Sequence, residues 1–169
     1  AFMSGRIADI VINPENENEW YVAVGSGGVW KTSNSGTTWS PIADDQPFYS
    51  TGAITIDPHN YSKIWLGTGE NVGGRHVGIG HGIYLSKDSG STWDDMGLNK
   101  SEHISKIMVH PDNSNIIWVA SQGPLWNSGG DRGLFIGMET FGASAPADQL
   151  YKNFGIDKEN IINKIMNNL

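Results

Sequence analysis

The sequence contains no cysteine, which excludes a disulfide framework and any metal site built from thiolates. Charged residues make up only 17% of the chain, below the ~25% typical of globular domains, and 11 Lys+Arg stand against 18 Asp+Glu. The net charge of −7 argues against a nucleic-acid or anionic-membrane partner, because both require clustered positive charge. No apolar run approaches the roughly 20 residues of a transmembrane helix, so we expect no membrane span.

The composition changes along the chain. Residues 1–135 hold all seven tryptophans and nineteen of the 22 glycines, whereas residues 136–169 hold no tryptophan and three glycines. The first part is typical of antiparallel β structure with glycine-rich turns, and the second predicts helices over most of residues 144–168. We therefore place a domain boundary near residues 134–136.

The first part repeats itself. An apolar run followed by Pro14, Pro58 or Pro111 recurs at intervals of 44 and 53 residues. Each run is followed by a second one rich in aromatic and β-branched residues, and then by a strand that opens on a glycine. A period of roughly 40–50 residues with several strands per unit is typical of propeller blades. Proline ends the first strand of each unit because it cannot donate to a ladder.

The first two units also share a sharper motif, S/T-x-D/N-x-G-x-T-W, at residues 32–39 and 86–93. The Asn or Asp side chain can accept backbone N–H bonds within a hairpin turn, and the glycine can adopt a positive φ. The tryptophan then buries a large ring between elements. We assign a structural role to the eight motif residues Thr32, Asn34, Gly36, Trp39, Ser86, Asp88, Gly90 and Trp93.

This motif is the Asp-box, and residues 1–135 resemble the BNR/Asp-box propeller proteins, most of all the bacterial sortilin-like group often labelled "glycosyl hydrolase, BNR repeat". The phrases at residues 3–10, 67–71, 121–126 and 129–134 carry the resemblance. It implies a mainly β fold, a partial antiparallel propeller with two full blades and part of a third. It also implies an extracellular or periplasmic location, although residues 1–9 lack the pattern of a secretion signal.

No third Asp-box follows the third unit. Residues 136–169 instead resemble the C-terminus of transketolase, through Phe-Gly-Ala-Ser-Ala-Pro at 141–146 and Phe-Gly-Ile at 154–156. The resemblance implies no catalysis and no cofactor, because the thiamine- and sugar-phosphate-binding residues of that family lie upstream of its last helices. A transplanted tail of this kind is expected to pack loosely on the propeller part. A natural fusion, a shifted reading frame and a deliberate joining all fit this pattern.

Five residues on one glycine-rich loop, residues 69–82, are candidates for ligand binding, since loops between blade strands carry function. They are expected to be exposed, and a solvated polar loop without a ligand is the alternative. Their side chains could bind a metal or act as acid and base, but no metal-binding motif is present, and we expect none. The candidates are Glu70, Asn71, Arg75, His76 and His81.

Two further patterns suggest a glycosidase. Arg6, Arg75 and Arg132 could clamp a carboxylate as in Asp-box sialidases, with local pairing of each arginine as the alternative. The acidic pairs at residues 44–45 and 94–95 could be catalytic. Because both pairs follow an Asp-box tryptophan, we interpret them as equivalent turns between blades and assign no catalytic residue.

Three functions remain open. The first is a propeller module that binds or scaffolds a glycan or peptide without catalysis and self-associates through open blade edges. The second is a fragment of an Asp-box glycoside hydrolase. The third is a fragment of a transketolase-type, thiamine diphosphate-dependent enzyme, supported by the tail alone.

Overall fold

The computed structural model describes residues 5–72 and 77–137. Within these residues the chain forms eleven β-strands and no helix, so none of them belongs to a helix long and apolar enough to cross a membrane. The helices predicted over residues 144–168 lie outside the described residues.

The strands form three antiparallel sheets, which we call blades I, II and III. In each blade, consecutive strands along the chain are neighbours in the sheet. Blade I contains β1 (Ile7–Asn13), β2 (Asn16–Val24), β3 (Gly28–Thr32) and β4 (Ser40–Pro41). Blade II contains β5 (Thr51–Asp57), β6 (Asn60–Thr68), β7 (Ile83–Ser86) and β8 (Asp94–Asp95). Blade III contains β9 (Ile104–His110), β10 (Asn113–Ser121) and β11 (Gly133–Gly137).

The turn between the first two strands is built alike in all three blades. Pro14, Pro58 and Pro111 each follow the last residue of β1, β5 and β9, as the sequence predicts. The side chain of that last residue accepts a hydrogen bond from the backbone N–H two positions later, over 3.0 Å in blade I, 2.8 Å in blade II and 3.0 Å in blade III. A polar side chain at this position satisfies a turn donor that the ladder leaves unpaired.

The residues of the repeated motif form tight turns before β4 and β8. Asn34 Oδ1 accepts the backbone N–H of Thr38 over 2.8 Å, and Asp88 Oδ1 accepts that of Thr92 over 2.8 Å. In each turn the hydroxyl that ends the preceding strand accepts the N–H of the motif glycine, over 3.0 and 2.8 Å. Those glycines have backbone φ angles of 84° and 90°, which residues with a side chain rarely adopt.

The two acidic pairs are not equivalent, so the interpretation of both as turns between blades is wrong for one of them. Asp94–Asp95 forms the outer strand β8, whose counterpart in blade I is Ser40–Pro41. The pair at residues 44–45 lies in a turn beyond β4. The pairs differ because Asp94 follows its motif tryptophan at once, while Asp44 lies five residues after its own.

The blades pack face to face around two apolar clusters. One cluster lies between blades I and II and includes Tyr21 and Val29 from the first and Ile54 and Leu66 from the second. The other lies between blades II and III and is built around Trp65 and the apolar residues of β9 and β10. The first strands β1, β5 and β9 lie side by side, which is the radial arrangement of propeller blades.

The predicted domain boundary falls inside β11. This strand runs through the predicted junction, pairing Trp118 with Ile136 and Ile117 with Gly137. The ladder of blade III therefore includes two residues of the segment that the composition assigned to the tail.

Candidate ligand-binding cleft

A cleft of about 390 Å³ opens at one end of the three sheets. It lies where β1, β5 and β9 begin and β6 ends, and antiparallel pairing brings these strand ends to the same side. Its polar lining consists of Arg6, Asp9, Glu70, Asn71, Ser105 and Lys106.

An ion pair between blades I and II lies at the centre of the cleft. Arg6 donates from Nη2 to Glu70 Oε2 over 2.6 Å and from Nε to Oε1. The carboxylate side chain is 1% exposed, while the arginine side chain is 61% exposed. The prediction that Glu70 lies exposed on a loop is wrong. Its backbone N–H bonds to Gly78 O and Ser50 Oγ, and its side chain lies against Gly25, where a Cβ would come within 2.3 Å of Oε1.

The hydrogen bonds from Arg6 lower the pKa of the Glu70 carboxyl below its ordinary value, against the opposing effect of burial. The carboxylate therefore stays ionised near neutral pH. The proton donor of a glycoside hydrolase typically has a raised pKa instead.

The second carboxylate of the cleft is engaged as well. Asp9 Oδ1 accepts the backbone N–H of Ile10 over 3.0 Å, and Oδ2 accepts that of Ile54 in blade II over 3.1 Å. Lys106 Nζ in blade III lies 3.7 Å from the same Oδ2. Asp9 thus ties all three first strands together.

A buried histidine that no sequence motif indicates, His103, contacts the backbone of Glu70. His103 Nδ1 is 2.9 Å from the carbonyl oxygen of Glu70, and since a carbonyl can only accept, Nδ1 carries the proton. Burial lowers the pKa of His103, so the ring is neutral at neutral pH. Asp9, His103 and Lys106 were missed because no local motif marks them, since their partners lie in other blades.

The other candidate residues of the loop do not all line the cleft. Asn71 is exposed and lines the cleft. His81 is also exposed, and its backbone N–H donates to Thr68 Oγ1 over 2.7 Å. Arg75 and His76 lie outside the described residues. Among described side chains, no group of three or more His, Asp or Glu is arranged to hold a metal ion.

The two described arginines of the sialidase hypothesis each have hydrogen-bond partners within the chain. Arg6 bonds to Glu70, and Arg132 Nη2 donates to the carbonyl oxygens of Pro124 and Asn127, the latter over 2.7 Å. Arg132 is therefore paired locally, whereas the partner of Arg6 lies 64 positions away in blade II.

Two aromatic side chains are exposed at the same end of the sheets as the cleft. Tyr49 lies two residues before the start of β5, and Trp126, 77% exposed, lies on the loop between β10 and β11. That loop is tied to the residues before β9, because Gln122 N–H donates to His103 O over 2.8 Å. Trp126 belongs to a phrase that carried the resemblance, yet the sequence alone did not mark it as a site residue.

No family model matches the chain. A transketolase of Buchnera aphidicola subsp. Schizaphis graminum is 37% identical over 81 residues, which cover 47% of this chain and 12% of that protein. This match is longer than the 34 residues of the predicted tail, so part of it lies within the β region. An oligoxyloglucan-reducing end-specific xyloglucanase of Emericella nidulans is 22% identical over 109 residues, or 62% of this chain and 12% of that protein.

Solved structures with a similar fold include GH74 enzymes. The GH74 enzyme of Niastella koreensis matches with a TM-score of 0.60 and 20% identity over 79% of this chain and 20% of its own. The GH74 xyloglucanase from Xanthomonas campestris matches with a TM-score of 0.55 and 14% identity over 75% of this chain and 20% of its own. The chain thus spans a small part of each of these proteins, and the described residues have a β-propeller-like fold shared with the GH74 enzymes.

Proposed function

We propose that this chain is part of a BNR/Asp-box propeller of the sortilin-like group that binds a glycan at the cleft without catalysing its hydrolysis. One observation carries the proposal: both carboxylates of the cleft, Asp9 and Glu70, are already held by partners from a neighbouring blade. Glycoside hydrolysis requires two carboxyl groups on either side of the scissile bond, one of them protonated. The lowered pKa of Glu70 does not suit the protonated role.

Exposed polar and aromatic groups at the cleft end of the sheets support glycan binding. Asn71 offers an amide donor and acceptor, and the outer edge of the Arg6 guanidinium faces solvent. Tyr49 and Trp126 offer exposed aromatic faces at the same end of the sheets. Carbohydrate rings present hydroxyl groups around an apolar C–H face, and a site of few polar groups with aromatic surfaces suits that chemistry.

The main alternative is a fragment of an Asp-box glycoside hydrolase, and the shared fold with GH74 enzymes favours it. A fragment of a thiamine diphosphate-dependent, transketolase-type enzyme is the second alternative, supported by the transketolase sequence matches. We extend the proposal to the domain organisation, with propeller structure over residues 1–135 and a transketolase-like tail over 136–169, and to an extracellular or periplasmic location.

The test is calorimetric titration of the chain with xyloglucan oligosaccharides, together with an assay for newly released reducing ends. We expect binding, a loss of affinity on the order of tenfold in Trp126→Ala, and no hydrolysis. Tyr61→Ala is the matched control, because Tyr61 lies near the start of β6, at the opposite end of the sheets.

Absence of binding to xyloglucan and to other soluble glycans, or binding to peptides alone, would overturn the glycan assignment. Release of reducing ends that is abolished in Glu70→Gln would move the protein to the hydrolase class.

A further inference from the structure

The loop between β10 and β11 is built around a single side chain. Arg132 Nη2 donates to the carbonyl oxygens of Pro124 and Asn127, the second over 2.7 Å, and Nε donates to Gly129 O over 3.4 Å. The aliphatic stem of Arg132 lies against Gly123, where a Cβ would come within 2.3 Å of Cγ. The guanidinium thus satisfies the carbonyl groups of a segment that forms no ladder of its own.

Two of these hydrogen bonds lie on either side of Trp126. Pro124 precedes the tryptophan by two positions and Asn127 follows it directly, so one rigid, planar guanidinium holds the backbone on both sides. The ring itself projects into solvent. The position of Trp126 is therefore set by the backbone of its loop rather than by packing of the ring in a core.

The two ends of this loop are anchored as well. Gln122 N–H donates to His103 O over 2.8 Å, and Ser121 Oγ donates to Asp131 O. The carboxylate of Asp131 accepts the backbone N–H of Lys100 over 3.3 Å. These bonds join the ends of the loop to each other and to the residues before β9, and Arg132 fixes the middle.

We propose that Arg132 is a positioning residue, which holds Trp126 in a fixed orientation as an aromatic binding surface. The identity of the ligand, a glycan, rests on the proposed function, whereas the positioning is a property of the free chain. A ring that is already held in place loses less conformational entropy on binding than a ring on a mobile loop, so the clamp raises affinity without a new contact. Arg132 therefore contributes to binding through Trp126.

The first measurement uses the free 169-residue chain labelled with ¹⁵N-tryptophan. The indole N–H signal of Trp126 is identified as the one that is absent from Trp126→Ala. We expect its order parameter to be about 0.85 in the unmodified chain and below about 0.6 in Arg132→Met, which keeps an aliphatic stem but removes every donor. The remaining indole signals verify that each variant is folded.

Lys87→Met is the matched control for the loss of a cation. Lys87 follows β7 at the end of the sheets opposite the cleft, where its exposed side chain pairs with Asp94. This change should leave the order parameter of Trp126 as it is. Arg132→Lys retains the charge without the planar fork, so we expect it to mobilise the indole too, and it provides the same comparison should Arg132→Met not fold.

The second measurement is a double-mutant cycle of affinity for xyloglucan oligosaccharides. We expect Arg132→Met to weaken binding roughly threefold to tenfold in the chain that has Trp126, and to have no effect in the Trp126→Ala background. A residue that acted on the ligand directly, or through the stability of the whole blade, would weaken binding equally in both backgrounds.

Several results would overturn the proposal. One is a Trp126 indole that is mobile already in the unmodified chain, and another is an indole that stays rigid in both Arg132 variants. Equal losses of affinity with and without Trp126 would do the same. If no glycan binds to the unmodified chain, the proposed function fails, while the order parameters still decide whether Arg132 positions Trp126.

Discussion

Arg6 and Glu70 are 64 positions apart in the sequence, yet their side chains form the closest charged contact between blades I and II among the described residues. The contact is asymmetric, because the carboxylate is buried and the guanidinium remains largely in water. A buried carboxylate is stable only while its partner and its hydrogen bonds are present. At the scale of the residue, therefore, Arg6 determines both the charge state of Glu70 and the polarity of the cleft.

We predict that Arg6→Met lowers the urea midpoint of unfolding at neutral pH and has progressively less effect below about pH 4. The lowered pKa of folded Glu70 contributes stability above the unfolded-state pKa, and this contribution is lost as the pH falls through the folded-state pKa. Removing Arg6 leaves a buried charge without its partner only where Glu70 is ionised.

Arg132→Met is the control for this measurement, because Arg132 bonds to backbone carbonyl oxygens and its loss should not depend on carboxyl ionisation. An Arg6→Met deficit of the same size at neutral and acidic pH would contradict the prediction.

At the scale of the element, the turns before β4 and β8 show how two different residues support one hairpin. Asn34 and Asp88 each accept the backbone N–H four positions later. Asp88 also accepts a hydrogen bond from the hydroxyl group of Thr92 over 2.6 Å. Asn34 instead donates one from Nδ2 to the hydroxyl group of Thr38 over 2.9 Å. The hydrogen bonds from Thr92 lower the pKa of Asp88. The essential group is therefore the side-chain oxygen, which both residues provide.

We predict that Asp88→Ala lowers the free energy of unfolding by about 1 kcal/mol, while Asp88→Asn costs clearly less. The amide can reproduce the geometry that Asn34 shows in blade I, and alanine offers no acceptor for the turn. Chemical denaturation of the two variants measures the difference. Equal losses would show that the negative charge, rather than the acceptor oxygen, stabilises the turn.

At the scale of the whole molecule, the blades are held together by face-to-face apolar packing and by a few polar links near the first strands. Both apolar clusters are built from residues between Val11 and Phe135. The last described ladder ends at Gly137, paired with Ile117. Blade packing within residues 5–137 thus has its own apolar cores, which is the condition for a domain that folds as a unit.

We predict that a chain ending after Gly137 keeps a cooperative unfolding transition, with a free energy of unfolding within about 1 kcal/mol of the 169-residue chain. The reason is that the clusters and ladders described above remain intact when residues 138–169 are removed. Urea denaturation followed by tryptophan fluorescence measures it, since all seven tryptophans are retained. A non-cooperative transition would show that the β region needs residues 138–169 to fold as a unit.

The sequence by itself determined the strands, the proline turns and the paired hairpin motifs, because each depends on side chains within a few positions of one another. Hydrophobic runs, Pro58 and the Asp88 turn could be interpreted in this way, and the structure has strands and turns at those places. Only the tertiary structure decided that Glu70 is buried and that Ile10 is exposed while Ile54 is not. These properties depend on which blade faces which, and residues 45 to 64 positions apart meet only once separate sheets have packed.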